Sequence, residues 1–82
     1  MPTVLRLGGL RVVIYLNDHQ PAHVNVIGLG NEAVFELNGR IRAVTIRENY
    51  GFTWREIAEI ERALIRSLAG LIAEWERIHG TE

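Results

Sequence analysis

Apolar residues fall in short runs through the first half of the chain and at spacings of three and four through the second. Residues 4–7 and 10–16 are apolar runs separated by Gly8-Gly9. Paired glycines suit a tight hairpin turn, because its central positions can require positive φ. The run 10–16 is apolar on both sides after Arg11, which predicts a central strand. Residues 23–27 alternate, with His23 and Asn25 on one face and Val24 and Val26 on the other. Gly28-Leu29-Gly30-Asn31 predicts a turn, residues 32–36 a strand, and Asn38-Gly39 a second hairpin. A three-residue loop 37–39 opposes Phe35 to Ile41, Ala33 to Ala43 and Glu36 to Arg40. It matches like with like better than a two-residue loop and is the predicted register, with the last strand running from Arg40 to about Ile46.

The second half reads differently. Thr53-Trp54-Arg55-Glu56 is a capping box, and Phe52 and Ile57 occupy the positions of a hydrophobic staple. From Ile57, apolar residues recur at 60, 64, 68, 71, 75 and 78, and Gly80 follows where glycine favours a helix end. The pattern predicts one α+β domain over residues 1–82. A five-stranded, mostly antiparallel sheet (3–46) leads through a connector (47–52) to one long C-terminal helix (53–79) packed on one face.

Such a helix is ~39 Å long, whereas strands of about six residues span ~20 Å. Unless the helix breaks near Gly70 and folds back, the surplus apolar surface needs a cover. Ile65, Leu68, Leu71, Ile72, Trp75 and Ile78 are therefore expected to form an interface with a second copy or a small partner protein. Arg55, Glu59, Arg62, Arg66 and Arg77 make the opposite, solvated face. Arg62 and Arg66 repel at i,i+4 and favour an acidic partner. His79, at the helix C-terminus, reads as a cap that complements the dipole.

Composition narrows the chemistry. With no cysteine, disulfides, thiolate nucleophiles and thiolate metal sites are excluded. A hydrophobic content of 48% with 23% charged residues is that of a globular domain. The net charge of −1 disfavours nucleic acid, whose binders usually carry a basic excess. No apolar run approaches the ~18 residues of a membrane span, and no leader pattern opens the chain. A cytoplasmic protein is the expectation.

Residues 17–26 carry the candidate chemistry: Asn17-Asp18-His19-Gln20-Pro21-Ala22-His23-Val24-Asn25-Val26. Imidazole is the side chain that exchanges protons near neutral pH. His19 and His23 are candidates for acid and base in phosphodiester cleavage without a metal, with Asp18 orienting one ring. Asn17, Tyr15, Asn25, Arg6 and Arg11 are candidate binding groups, the arginines as donors to an oxyanion. The same set offers two imidazoles and a carboxylate, enough only for a weak metal site. Asn and Asp before a proline-containing loop also commonly serve to cap a turn, which gives a structural or binding role more weight than catalysis. No metal or cofactor is assigned. Gly28 to Gly30 lacks the strand-to-helix setting of a phosphate loop.

Residues 1–6 with Gly8-Gly9, the core Asn17-Asp18-His19 through Pro21 to His23-Val24, Glu32-Ala33, and Tyr50-Gly51-Phe52 resemble the bacterial domain-of-unknown-function family numbered 4160. The resemblance covers essentially the whole chain. It implies a short, stand-alone prokaryotic protein whose gene often lies beside another small gene, in a toxin–antitoxin-like pair. The function it implies is an interaction module that binds itself or the adjacent gene's product; the alternative is a small ribonuclease-like enzyme using His19 and His23. The family pattern continues His-Val-His-Val, whereas this chain has His23-Val24-Asn25-Val26. Asparagine hydrogen-bonds but is a poor zinc ligand, so the change weakens the metal reading most.

Overall fold

Strand β1 (Thr3–Leu7) turns through Gly8, at φ +61°, into β2 (Leu10–Val13). Strands β3 (His23–Gly28), β4 (Asn31–Asn38) and β5 (Ala43–Tyr50) follow, each antiparallel to the one before. The sheet is a meander in chain order in this computed structural model, which describes residues 3–80. Helices α1 (Trp54–Arg66) and α2 (Leu68–His79) complete an α+β fold. Among the described residues no helix is long and apolar enough to cross a membrane.

Alternation assigns the two faces of the sheet. Val12, Val24, Val26, Ala33, Phe35 and Leu37 share one core with Ile57, Ile60 and Leu64 of α1 and Leu68, Leu71 and Trp75 of α2. The other face carries Val13, Asn25, Ile27 and Val34, none of which belongs to that core. Both helices pack on the first face, and the second meets α2 at its loop end, where His23 lies against Trp75.

The sequence-based expectations need three corrections. Strand β2 stops at Val13 rather than Leu16: Ile14 is fully buried, while Leu16 is 76% exposed. The β4–β5 register is not the expected one. Asn38 faces Ala43, so the loop is residues 39–42, and Phe35 opposes Ile46, Ala33 opposes Asn49 and Glu36 opposes Thr45. The cause is local. The Asn38 side-chain oxygen accepts from the Arg40 and Ile41 N–H groups at 3.1 and 3.3 Å, and Arg42 takes φ +53°, building a wider turn. A bulge at Arg47 then re-phases β5, which runs on to Tyr50 through most of the expected connector.

The third correction is the helix. There are two rather than one, parted at Ser67, whose φ of −107° and ψ of 13° leave the helical region. Its N–H bonds the Leu64 carbonyl, three residues back, at 3.1 Å. A straight helix over 53–79 would exceed the longest dimension of the Cα trace, 33 Å. The break keeps the second half of the apolar stripe on the sheet. Leu68, Leu71 and Trp75, expected at an interface, are 2, 3 and 2% exposed within this chain. Ile72 and Ile78 are half-buried against the same core, and Ile65 stays exposed. At those three buried positions the surplus surface that called for a partner is covered intramolecularly.

Local signals placed the start of α1. Thr53 Oγ1 accepts from the Glu56 N–H at 3.1 Å, and Glu56 Oε1 accepts from the Thr53 N–H at 2.8 Å. Phe52 and Ile57 are both buried in the core. Gly28 leaves no room for a side chain, because a Cβ there would meet Leu10 Cδ2 at 2.6 Å and the Gly9 carbonyl at 2.8 Å. That close approach lets the β1–β2 turn pack over the β3–β4 turn, where Leu29 and Gly30 both take positive φ.

Candidate functional site

Residues 14–22 leave the sheet at the end of β2 and return at His23. The loop is shaped by its own polar groups. The Asp18 N–H donates to the Tyr15 carbonyl at 3.1 Å, and Asp18 Oδ2 accepts from the Tyr15 N–H at 3.0 Å. These reciprocal bonds close the turn that Asn17-Asp18 favours. The Gln20-Pro21 peptide is cis.

His23 fastens this loop to the strand it enters. Its Nδ1 lies 3.0 Å from the Pro21 carbonyl oxygen, which can only accept, so Nδ1 carries hydrogen. Its Nε2 faces Asp18 Oδ2 at 3.4 Å. The ring is 9% exposed and packs against Trp75 with centroids 5.2 Å apart. His79 also packs against the indole, with centroids 4.2 Å apart. His79 Nε2 donates to the Tyr15 carbonyl at 3.1 Å, so that oxygen accepts from both the loop and the end of α2. Trp75 thus packs against two imidazoles, and its buried indole N–H has no hydrogen-bond partner among the described residues.

Two depressions flank this latch. One, of about 180 Å³, is lined by Asp18, His19, Gln20, Trp75 and His79. The other, of about 490 Å³, runs between the loop, the β4–β5 tip and α2, along Ala22, Gly39, Arg40, Ile72 and Glu76; Gln20 and Trp75 line both.

The family follows from one comparison. A family model described as "Domain of unknown function (DUF4160)" matches residues 9–76. The chain belongs to this family. The DUF4160 match runs from the β1–β2 turn into α2 and contains Asp18, His23 and Trp75. No curated protein and no solved structure matches the chain.

Of the residues singled out in the sequence, the fold brings together Asp18, His23 and the Tyr15 backbone. His19 is exposed on the loop and lines the small depression, whereas His23 is turned to Pro21 and Asp18. Both nitrogens of His23 already face oxygen atoms, which leaves none to exchange a proton with a substrate. Asn17 is exposed beside the turn. Asn25 is buried two residues along β3 from His23, between Val13 and Val34. Arg11 pairs with Ile27, four residues along β3 from His23 and so about 13 Å away, and Arg6 pairs with Arg11. The two arginines do not serve this site. Among the described residues no group of three or more His, Asp or Glu side chains is placed to hold a metal ion.

The sequence placed Trp75 at an interface and His79 at a cap, and did not join either to the loop at residues 14–22. Their i,i+4 spacing stacks them on one face of α2, and that signal was present. The bond from His79 to residue 15 was not local and left no trace in the pattern.

Proposed function

We propose that the chain is a protein-interaction module that receives an extended segment of a small partner in the 490 Å³ groove at the loop end of the sheet. One observation carries the reading: the groove is open and built on Trp75 and Ile72, while the imidazole beside it is spent on structure. Arg40 and Glu76 on opposite rims supply charge to orient a polar backbone, and Ile41, 72% exposed at the adjacent tip, supplies apolar contact. The family resemblance suggests the product of a neighbouring gene as the partner, in a toxin–antitoxin-like pair in the cytoplasm.

Co-expression with that product tests the reading. A stable complex is expected, lost in the Arg40→Glu, Ile72→Glu double variant and kept in Arg62→Glu on the exposed side of α1. Recovery of the chain alone, or binding indifferent to the groove variant, overturns it.

A second reading has one observation in its favour. His19 and His79 line the small depression together with Asp18, so an acid–base pair acting on a phosphodiester would be those two rings rather than His19 and His23. Cleavage of an RNA oligonucleotide, abolished by His19→Ala and by His79→Ala in folded protein, would establish it; wild-type protein without cleavage would remove it.

A further inference from the structure

The sheet face opposite the main core carries its charges in an ordered way away from the loop end. One row across all five strands reads Arg6, Arg11, Ile27, Glu32, Tyr50. The next reads Thr3, Val13, Asn25, Val34, Glu48. In these two rows basic groups lie on β1 and β2, acidic groups on β4 and β5, and β3 divides them. Arg6 and Arg11 are direct cross-strand neighbours of like charge, an arrangement that costs stability. Among the described residues neither has an ion-pair partner, and Glu32 and Glu48 have none either.

This order is antisymmetric about β3. Turned half a revolution about an axis along β3 and laid face to face, a second copy brings its acidic side over the basic side of the first. Arg11 then opposes the partner's Glu32, Arg6 opposes the partner's Tyr50, and Ile27 meets the partner's Ile27. In the second row Val13 opposes the partner's Val34 and Asn25 the partner's Asn25. Arg11 and Glu32 each stand one strand, about 4.8 Å, from the axis. The ~30° rotation usual between packed sheets moves them by only a few ångströms, within reach of both side chains. Arg6 over a tyrosine ring also has the geometry of a cation–π contact.

We infer that this open sheet face is a self-complementary surface on which a second copy of the chain docks as a two-fold dimer, with Arg11 and Glu32 as its reciprocal ion pairs. Val13 and Asn25 are already buried within the chain, so the contact is made by the side chains around them. The surface is distinct from the groove beside Trp75, and the two proposals stand or fall separately.

Sedimentation equilibrium of the full chain tests it. A dimer is expected at micromolar concentrations, weakening as salt rises toward ~1 M because part of its attraction is between charges. Each pair occurs twice across a two-fold axis, so Arg11→Glu or Glu32→Arg alone should weaken association by roughly tenfold or more. The double variant R11E/E32R restores opposite charges at both places and should recover most of the loss. Circular dichroism confirms folding; if a reversal does not fold, Arg11→Gln and Glu32→Gln should each abolish the salt dependence. A monomer at all concentrations, a dimer indifferent to these variants, or a double variant no better than the singles overturns the proposal. A dimer lost instead in the Arg40→Glu, Ile72→Glu variant also overturns it and moves self-association to the groove.

Discussion

The two faces of one sheet obey different rules. On the helix side every second position is apolar, and Val12, Val24, Val26, Ala33 and Phe35 lose all contact with solvent. On the other side Val13 and Asn25 are buried as well, but Arg11, Ile27, Glu32 and Val34 around them keep part of their surface. The first face is dictated by burial, and any well-packing apolar set would serve it. The second is only partly buried, so its charges were free to be arranged. The difference teaches where to look for recognition in a small sheet protein: on the face that packing leaves under-determined.

Truncation on the two faces gives the largest expected contrast. Phe35→Ala removes a fully buried ring and should cost ~3–5 kcal/mol. For 82 residues total stability is on the order of 4–12 kcal/mol, so that variant sits near the edge of folding. Val34→Ala, next in sequence but on the open face, should cost ~1 kcal/mol or less. Urea unfolding of the two variants compares them directly. Equal losses would mean that the second face is covered as fully as the first, and would break the comparison.

A smaller effect sharpens the role of the latch on the helix side. His79→Ala frees the Tyr15 carbonyl of one donor and removes one of the rings packed on the Trp75 indole. The Asp18 N–H still satisfies that carbonyl, so the global loss should be ~1–2 kcal/mol. The larger change should be local. Hydrogen exchange at the Asp18 amide should accelerate far more than at Phe35, because loop and α2 would open without the sheet. Uniform acceleration at both would show that the latch is part of the global core.

How much of this was legible in the sequence depends on range. The capping box at Thr53 and Glu56, the Gly8 turn and the alternation of β3 were readable, because each rests on residues within a few positions of one another. The β4–β5 register was not, since the Asn38 side chain built a four-residue turn and the bulge at Arg47 shifted what followed. Both are choices of one side chain that leave the apolar pattern intact. The break at Ser67 was legible only as the alternative of a break near Gly70, because a stripe at 57, 60, 64, 68, 71 and 75 is the same on a straight helix as on a bent one. The candidate site was half legible. Asp18 and His23 stood out by type and by the proline between them. Trp75 looked like surplus surface and His79 like a helix cap, until a contact spanning 64 positions placed His79 at Tyr15 and Trp75 packed against His23 and His79.

The finest test lies at the acidic corner of the open face. The Tyr50 hydroxyl donates to Glu48 Oε1 at 3.2 Å. The negative charge of Glu48, that hydrogen bond and the more distant Glu32 together hold the phenol proton above its ordinary value of 10.0. The folded chain thus keeps this proton more tightly than the unfolded chain does. Its contribution to stability is present in full below pH 10 and is lost as pH rises through the raised folded value. Ultraviolet titration should place Tyr50 above the ordinary value of 10.0 and move it down in Glu48→Gln, by more than in Glu32→Gln because Glu48 is the larger cause. The dimer adds a condition of its own. Arg6 of a partner over the ring would favour the phenolate and pull the titration down. A Tyr50 midpoint that falls as protein concentration rises, and returns in Arg6→Gln, would connect this corner to the basic side of the same face in another copy.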